Sequence, residues 1–166
     1  MGALEGHAGD GKSGRSGRSL RRHVDCLESP HDLRLVRNVG MRAILYRTAL
    51  GKALVAFLPP EEREQLARTL RFQEFTPNTI TSAEQLTREL NAIRKTGYAV
   101  DNEESVLGLR CIAAPIVDRK GIAVAAVSIS GPTSRITSEK TAYLGNLVKS
   151  AAHEISLRIA FHPAQL

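Results

Sequence analysis

Alternation of apolar and polar residues predicts five short strands, at 23–27, 33–36, 98–101, 109–117 and 122–130. Two of the connections between them are typical of hairpins. The link 28–32 is rich in turn-forming residues, and the link 118–121 ends in a glycine that supplies the unusual dihedral a tight turn needs. Hairpins join antiparallel neighbours, so the sequence favours an antiparallel sheet.

Helical spacing of apolar residues predicts four helices. The first spans 48–58, the second begins at Pro60, the third lies between Ser82 and Gly97, and the fourth spans 138–160. Ser82 stands three residues before a glutamine, as in a capping box, and Gly97 suits a left-handed C-cap. The expected fold class is therefore α+β, a mostly antiparallel sheet with packed helices. A doubly wound nucleotide-binding fold would need regular βαβ alternation and a glycine-rich phosphate loop, which the pattern does not show.

Composition predicts one globular domain. The chain has 166 residues, 42% of them hydrophobic, and a net charge of +6. Half of that net positive charge lies in residues 1–22. The rest of the chain therefore has an ordinary mixed surface and is not expected to bind nucleic acid. Residues 1–21 form a basic head expected to be disordered or atypical, with phosphate contact as the alternative. No apolar run reaches the roughly 20 residues of a membrane helix, and two cysteines fit free thiols in a reducing cytoplasm.

Enzyme chemistry finds little support in the sequence. The usual phosphate-loop, dinucleotide, hydrolase and zinc-protease motifs are absent. His23 and Cys26 have a strand spacing that directs them to opposite faces, so neither a metal site nor a cofactor is expected. Glu103 and Glu104 fit a solvated loop. Asp101 is more typical of a surface carboxylate, with a cleft at a strand end as the alternative.

Two neighbouring strands carry the residues most suited to binding a ligand. Leu109 and Cys111 share one face of their strand, and Ser128 and Ser130 share one face of the next. If the two faces coincide, hydroxyls and a thiol line a concavity suited to a compact polar ligand. The alternative is that both serines face solvent. Inside an apolar strand, Cys111 fits core packing or pocket lining better than catalysis.

Five segments, in order and spacing, resemble the effector-binding domain of the IclR family of bacterial transcription regulators. They are VDCLESP (24–30), TALGKA (48–53), GYAVDNEE (97–104), GLRCIAAP (108–115) and SISGP (128–132). The resemblance covers roughly 22–160 and leaves 161–166 as a tail. It implies a GAF-like, non-enzymatic cytoplasmic sensor that forms dimers or tetramers and binds a small organic acid, such as a 2-oxo, sugar or aromatic acid.

The resemblance also implies a set of ligand-binding residues. These are Leu35, Ala43, Ala49, Leu50, Gly51, Asp101, Leu109, Cys111, Ser128 and Ser130. The physical chemistry agrees at the TALGKA segment, because the free N–H groups and positive dipole end of a helix favour a carboxylate. Leu50 occupies a position where a smaller residue would leave more room, so we expect a tight pocket for a ligand of few heavy atoms.

Family members read DNA through a winged helix-turn-helix, and no segment of this sequence resembles one. The sequence therefore leaves alternatives to a sensor that regulates DNA binding through its oligomer. One is a truncated regulator that co-assembles with full-length paralogues. Another is a GAF-like thiol redox enzyme with Cys111 as nucleophile and Cys26 as its resolving partner.

Overall fold

The computed structural model of the chain describes residues 2–6, 20–27 and 42–161, and side chains chiefly from Ile44 to Ala160. This part of the chain contains six strands and four helices. Their bounds are β1 Gly2–Gly6, β2 Leu20–Cys26, β3 Arg42–Ile44, α1 Ala49–Ala56, α2 Pro60–Thr69, α3 Ala83–Thr96, β4 Ala99–Asn102, β5 Leu109–Val117, β6 Ala123–Pro132 and α4 Thr141–Phe161.

All six strands belong to one antiparallel sheet with the order β3-β2-β1-β6-β5-β4. Helix α1 packs on one face of β4, β5 and β6, with α3 against it, and α4 packs on β5 and β6. The core is divided accordingly: Cys111 and Ala113 belong to the α1 cluster, whereas Ala114 and Ile116 pack with α4. The predicted α+β class is confirmed.

Strand β1 was not predicted from the sequence. Residues 1–21 were expected to be disordered or atypical, yet Gly2–Gly6 pairs with β2 on one side and β6 on the other, and β2 itself begins at Leu20. The segment Gly-Ala-Leu-Glu-Gly has little intrinsic preference for a strand. Its conformation is set by hydrogen bonding to two neighbours, which local sequence does not reveal. The predicted strand at 33–36 and its turn lie outside the described residues.

Helices α1 to α3 agree with the sequence prediction because their signals are local. The Ser82 hydroxyl accepts a hydrogen bond from Gln85 N at 3.2 Å, and Thr48 caps α1 in the same way. Pro60 opens α2. Gly97 ends α3 with φ of +83°, a conformation that glycine adopts without strain.

Helix α4 differs from its prediction in both start and buried face. It begins at Thr141, and not with Ser138 as its cap. Val148 is buried as predicted, but Leu147 is 49% exposed and Ala151 is exposed, while Ala152 is buried. Apolar residues occur on both sides of this helix, so periodicity alone does not identify the side that meets the sheet. None of the helices in the described part is long and apolar enough to cross a bilayer.

Candidate functional site

The strand register brings the predicted polar residues into two adjacent rows. In the first, Asp101 of β4 pairs with Cys111 of β5, which pairs with Ser130 of β6. In the second, Ala113 pairs with Ser128. Directly opposed residues of antiparallel strands project from the same face. The cysteine and serine faces therefore coincide, on the side of the sheet that packs against α1.

Burial distinguishes these residues from surface groups. Asp101 is 1% exposed, Ser128 2% and Cys111 7%, whereas Leu109 and Ser130 are half-buried. The interpretation of Asp101 as a surface carboxylate is wrong, and so is the solvent-facing alternative for Ser128. The site is a largely enclosed polar patch at the edge of an apolar core.

Helix α1 brings its N-terminal donors to the same side of the sheet. Thr48 Oγ1 accepts from Gly51 N at 3.1 Å, and Thr48 O accepts from Lys52 N at 2.9 Å. The donors not used by this cap are the N–H groups of Ala49 and Leu50, the first two of the helix. The amides of Ala49 and Leu50 are therefore the candidate donors to a carboxylate, whereas those of Gly51 and Lys52 already bond Thr48.

Gly51 has a packing role that its position in the motif did not reveal. A Cβ at this residue would lie 2.5 Å from the Cα and carbonyl oxygen of Leu45. Backbone atoms cannot move aside as a flexible side chain does, so only glycine permits this close approach. The contact fixes α1 against the turn that follows β3.

Asp101 is fixed by the turn that follows its strand. Its Oδ1 accepts hydrogen bonds from Glu104 N at 2.8 Å and Ser105 N at 3.2 Å. Burial raises the pKa of the Asp101 carboxyl, and the hydrogen bonds and the Lys52 charge oppose that rise without cancelling it. A carboxyl with this pKa accepts a hydrogen bond when ionised and donates one when protonated.

Lys52 is the functional-site neighbour that sequence reasoning missed. Its side chain is completely buried, and its Nζ contacts Glu104 Oε1 at 2.5 Å, Val100 O at 2.7 Å and Glu89 Oε1 at 3.2 Å. A buried ammonium is tolerated only when such partners replace water. The available signal was a lysine within the otherwise apolar helix Ala49–Ala56.

Glu104 contradicts the prediction of a solvated acidic loop. It is 6% exposed, and burial raises the pKa of its carboxyl to about 7 although Lys52 opposes the change. Its Oε2 is buried and has no hydrogen-bond partner among the described residues. Glu103 is half-buried and accepts from Gly108 N at 2.7 Å. Adjacent acidic residues thus have different environments because the chain turns sharply between them.

The structure does not describe the side chains of two predicted site residues. Leu35 lies outside the described residues. For Ala43 only the backbone is described, in β3 opposite Arg21 of β2. Among the described side chains, no group of three or more His, Cys, Asp or Glu could hold a metal ion.

The proposed pairing of Cys26 with Cys111 is incompatible with the sheet. Cys26 lies in β2 and Cys111 in β5, with β1 and β6 between them. Three interstrand spacings separate these strands by about 14 Å. A disulfide requires Cα atoms within about 7 Å. Cys111 therefore cannot form a disulfide with Cys26 within this fold.

The family model described as "Bacterial transcriptional regulator IclR C-terminal" matches residues 21–157, which include all the described parts of the site. The chain belongs to the IclR family. Its regulator relatives support a non-enzymatic role, and the matched region is the effector-binding domain of such regulators.

Individual IclR proteins show how far the similarity extends. The chain is 38% identical over 140 residues to the HTH-type transcriptional regulator KdgR of Escherichia coli K12, covering 84% of this chain and 53% of KdgR. It is 40% identical over 139 residues to the HTH-type transcriptional repressor AllR of the same strain, covering 82% and 51%. The crystal structure of Thermotoga maritima IclR superposes with a TM-score of 0.84 at 37% identity, covering 95% of this chain and 60% of that one. The chain thus spans about half the length of the curated relatives it matches.

Proposed function

We propose that this IclR domain senses a small organic acid, bound between the N-terminus of α1 and the rows of β4, β5 and β6. The observation that carries the proposal is the register of Asp101, Cys111 and Ser130, which lie side by side on the face covered by α1. The three strands β4, β5 and β6 thereby contribute polar groups to one enclosed site. Such convergence over an apolar floor is typical of small-molecule sites.

Each part of this arrangement suits one part of a compact acid. The amides of Ala49 and Leu50 donate to the carboxylate, and the positive end of α1 favours its charge. The hydroxyls of Ser128 and Ser130 donate to a second oxygen, such as a carbonyl. Asp101 accepts from a hydroxyl when ionised, which disfavours a second carboxylate at that position.

The ligand class follows from size as well as charge. Leu50 and Cys111 are both almost fully buried in the apolar cluster beneath α1. The leucine side chain at this boundary favours a ligand of few heavy atoms. Among 2-oxo, sugar and aromatic acids, we therefore expect the short 2-oxo acids to bind best.

Regulation would pass from the site to DNA through quaternary structure. The relatives KdgR and AllR are helix-turn-helix regulators about twice as long as this chain. Large apolar side chains are exposed on the outer side of α4, and they suit a homodimer or homotetramer contact. They are Tyr143, Leu147 and Leu157. We propose that effector binding shifts this cytoplasmic oligomer between states that differ in DNA affinity.

A thermal-shift screen against glyoxylate, pyruvate, a sugar acid and an aromatic acid tests the proposal. We expect a rise in melting temperature with at least one short acid, lost in an Asp101→Asn, Ser128→Ala double variant. Ser150→Ala, on the exposed face of α4, is the matched control and should respond like the wild type. No shift with any acid in a folded wild-type protein would refute the assignment of the site.

A further inference from the structure

Lys52 lies where three structural units that bracket the site meet. It belongs to α1, its Nζ bonds Glu89 of α3, and it bonds both Val100 O of β4 and Glu104 of the following turn. The Lys52 side chain is completely buried, so its ammonium depends on these protein partners. One ammonium therefore ties α1, α3 and the end of β4 together.

The charges around Lys52 are unequal in number. One cation faces three carboxylates: Glu104 at 2.5 Å, Glu89 at 3.2 Å and Asp101 through its charge. Glu89 has a side chain 35% exposed, whereas Glu104 and Asp101 are buried. Without the ammonium, two buried carboxylates would lose the cation that compensates their mutual repulsion.

The same turn holds Asp101 in place. The amides of Glu104 and Ser105 donate to Asp101 Oδ1, and the Ser105 hydroxyl donates to Arg47 O at 2.9 Å, just before α1. The position of Asp101 thus depends on the turn 103–105. The position of that turn relative to α1 depends on Lys52 together with this Ser105 hydrogen bond.

We propose that Lys52, acting through Glu104, is the positioning residue that aligns Asp101 with the amide donors of α1 for the effector. This inference rests on the proposed function, since it concerns the same site. Lys52 uses its ammonium within the protein and acts on the effector through Asp101. Its role is to fix the distance between an acceptor on β4 and donors on α1.

The experiment compares Lys52→Met, the Lys52→Met, Glu104→Gln pair and the wild type. The double variant removes one positive and one negative charge together. Glu104 is then not left as a buried carboxylate without its cation, which could by itself unfold the protein. Lys149→Met is the matched control, because Lys149 lies on the exposed side of α4 and bonds only Thr96 O among the described residues.

Amide hydrogen exchange in the ligand-free protein is the first measurement. We expect the Glu104 and Ser105 amides to exchange at least tenfold faster in the pair variant, relative to amides of β5, and not in the control. Unchanged protection would overturn the inference. It would mean that the hydroxyls of Thr76 and Thr79, which donate to the Glu103 and Glu104 carbonyls at 2.7 Å, suffice to hold the turn.

Titration with glyoxylate and with pyruvate by calorimetry is the second measurement. For the acid that binds the wild type, we expect at least a tenfold loss of affinity in the pair variant and a flatter pH profile between pH 6 and 8. Equal affinity and an unchanged profile would contradict the positioning role. If the wild type binds neither acid, the expectation of a short 2-oxo acid fails, and the acid that gives a thermal shift takes its place in the titration; hydrogen exchange in the ligand-free protein tests the role of Lys52 independently of that result.

Discussion

Substituting Glu104 by glutamine should remove a pH dependence of stability that the buried carboxyl creates. Glutamine keeps an oxygen that accepts from Lys52 but does not titrate. The pKa of Glu104 is about 7 in the fold against 4.5 ordinarily, because burial penalises its charged form. The folded protein therefore binds this proton more tightly than the unfolded chain does.

The sign and size of the effect follow from linkage. The stabilisation is present in full below about pH 4.5 and is lost as the pH rises through about 7. The difference between those two pKa values corresponds to about 3 kcal/mol in total, most of which falls between pH 5 and pH 8. The pKa of the Asp101 carboxyl is also raised, so this group likewise makes the fold less stable as the pH rises. It does so in both the wild type and the Glu104→Gln variant.

Urea unfolding of wild type and Glu104→Gln at pH 5, 6, 7 and 8 measures this difference. We expect the stability of the wild type relative to the variant to fall by roughly 2 to 3 kcal/mol across that range. Glu154→Gln, an exposed change on α4, is the control. A wild-type-to-variant difference that is independent of pH would refute the reasoning about the buried Lys52–Glu104 pair.

Three further substitutions test the packing that positions the site, each by urea unfolding. Gly51→Ala should cost more than about 2 kcal/mol, because its Cβ would meet the Leu45 backbone at 2.5 Å; a cost below about 0.5 kcal/mol would argue against that contact. Ser82→Ala should lose about 1 kcal/mol with the cap of α3, and a neutral result would contradict the cap. Val148→Ala should lose about 2 kcal/mol, because Val148 is 5% exposed on the sheet-facing side of α4; retention of full stability would show that another face of α4 meets the sheet.

Elements with local signals were predictable from the sequence. Helix α3 carries its start and end in Ser82 and Gly97, each of which acts within one helical turn. Strand periodicity placed Leu109 with Cys111 and Ser128 with Ser130, and neither inference needed knowledge of distant contacts. Whether the two faces coincide stayed open until the register of β5 and β6 paired Cys111 with Ser130.

Features that depend on distant partners were not predictable. Strand β1 exists because β2 and β6 lie on either side of it, and its own residues are poor strand formers. The burial of Glu104 depends on a lysine 52 positions earlier in the chain. A carboxylate next to another in a loop gives no sign of such a partner, so the charged network beneath the site appears only in the fold.

The central claim is that an organic acid binds between the start of α1 and the rows of β4, β5 and β6. Backbone amide shifts of the labelled protein, titrated with glyoxylate and with pyruvate, test it most directly. The account predicts the largest shifts at Ala49, Leu50, Asp101 and Ser130. Largest shifts instead along the outer groove lined by Asn78, Arg88 and neighbouring residues of α3 would contradict it.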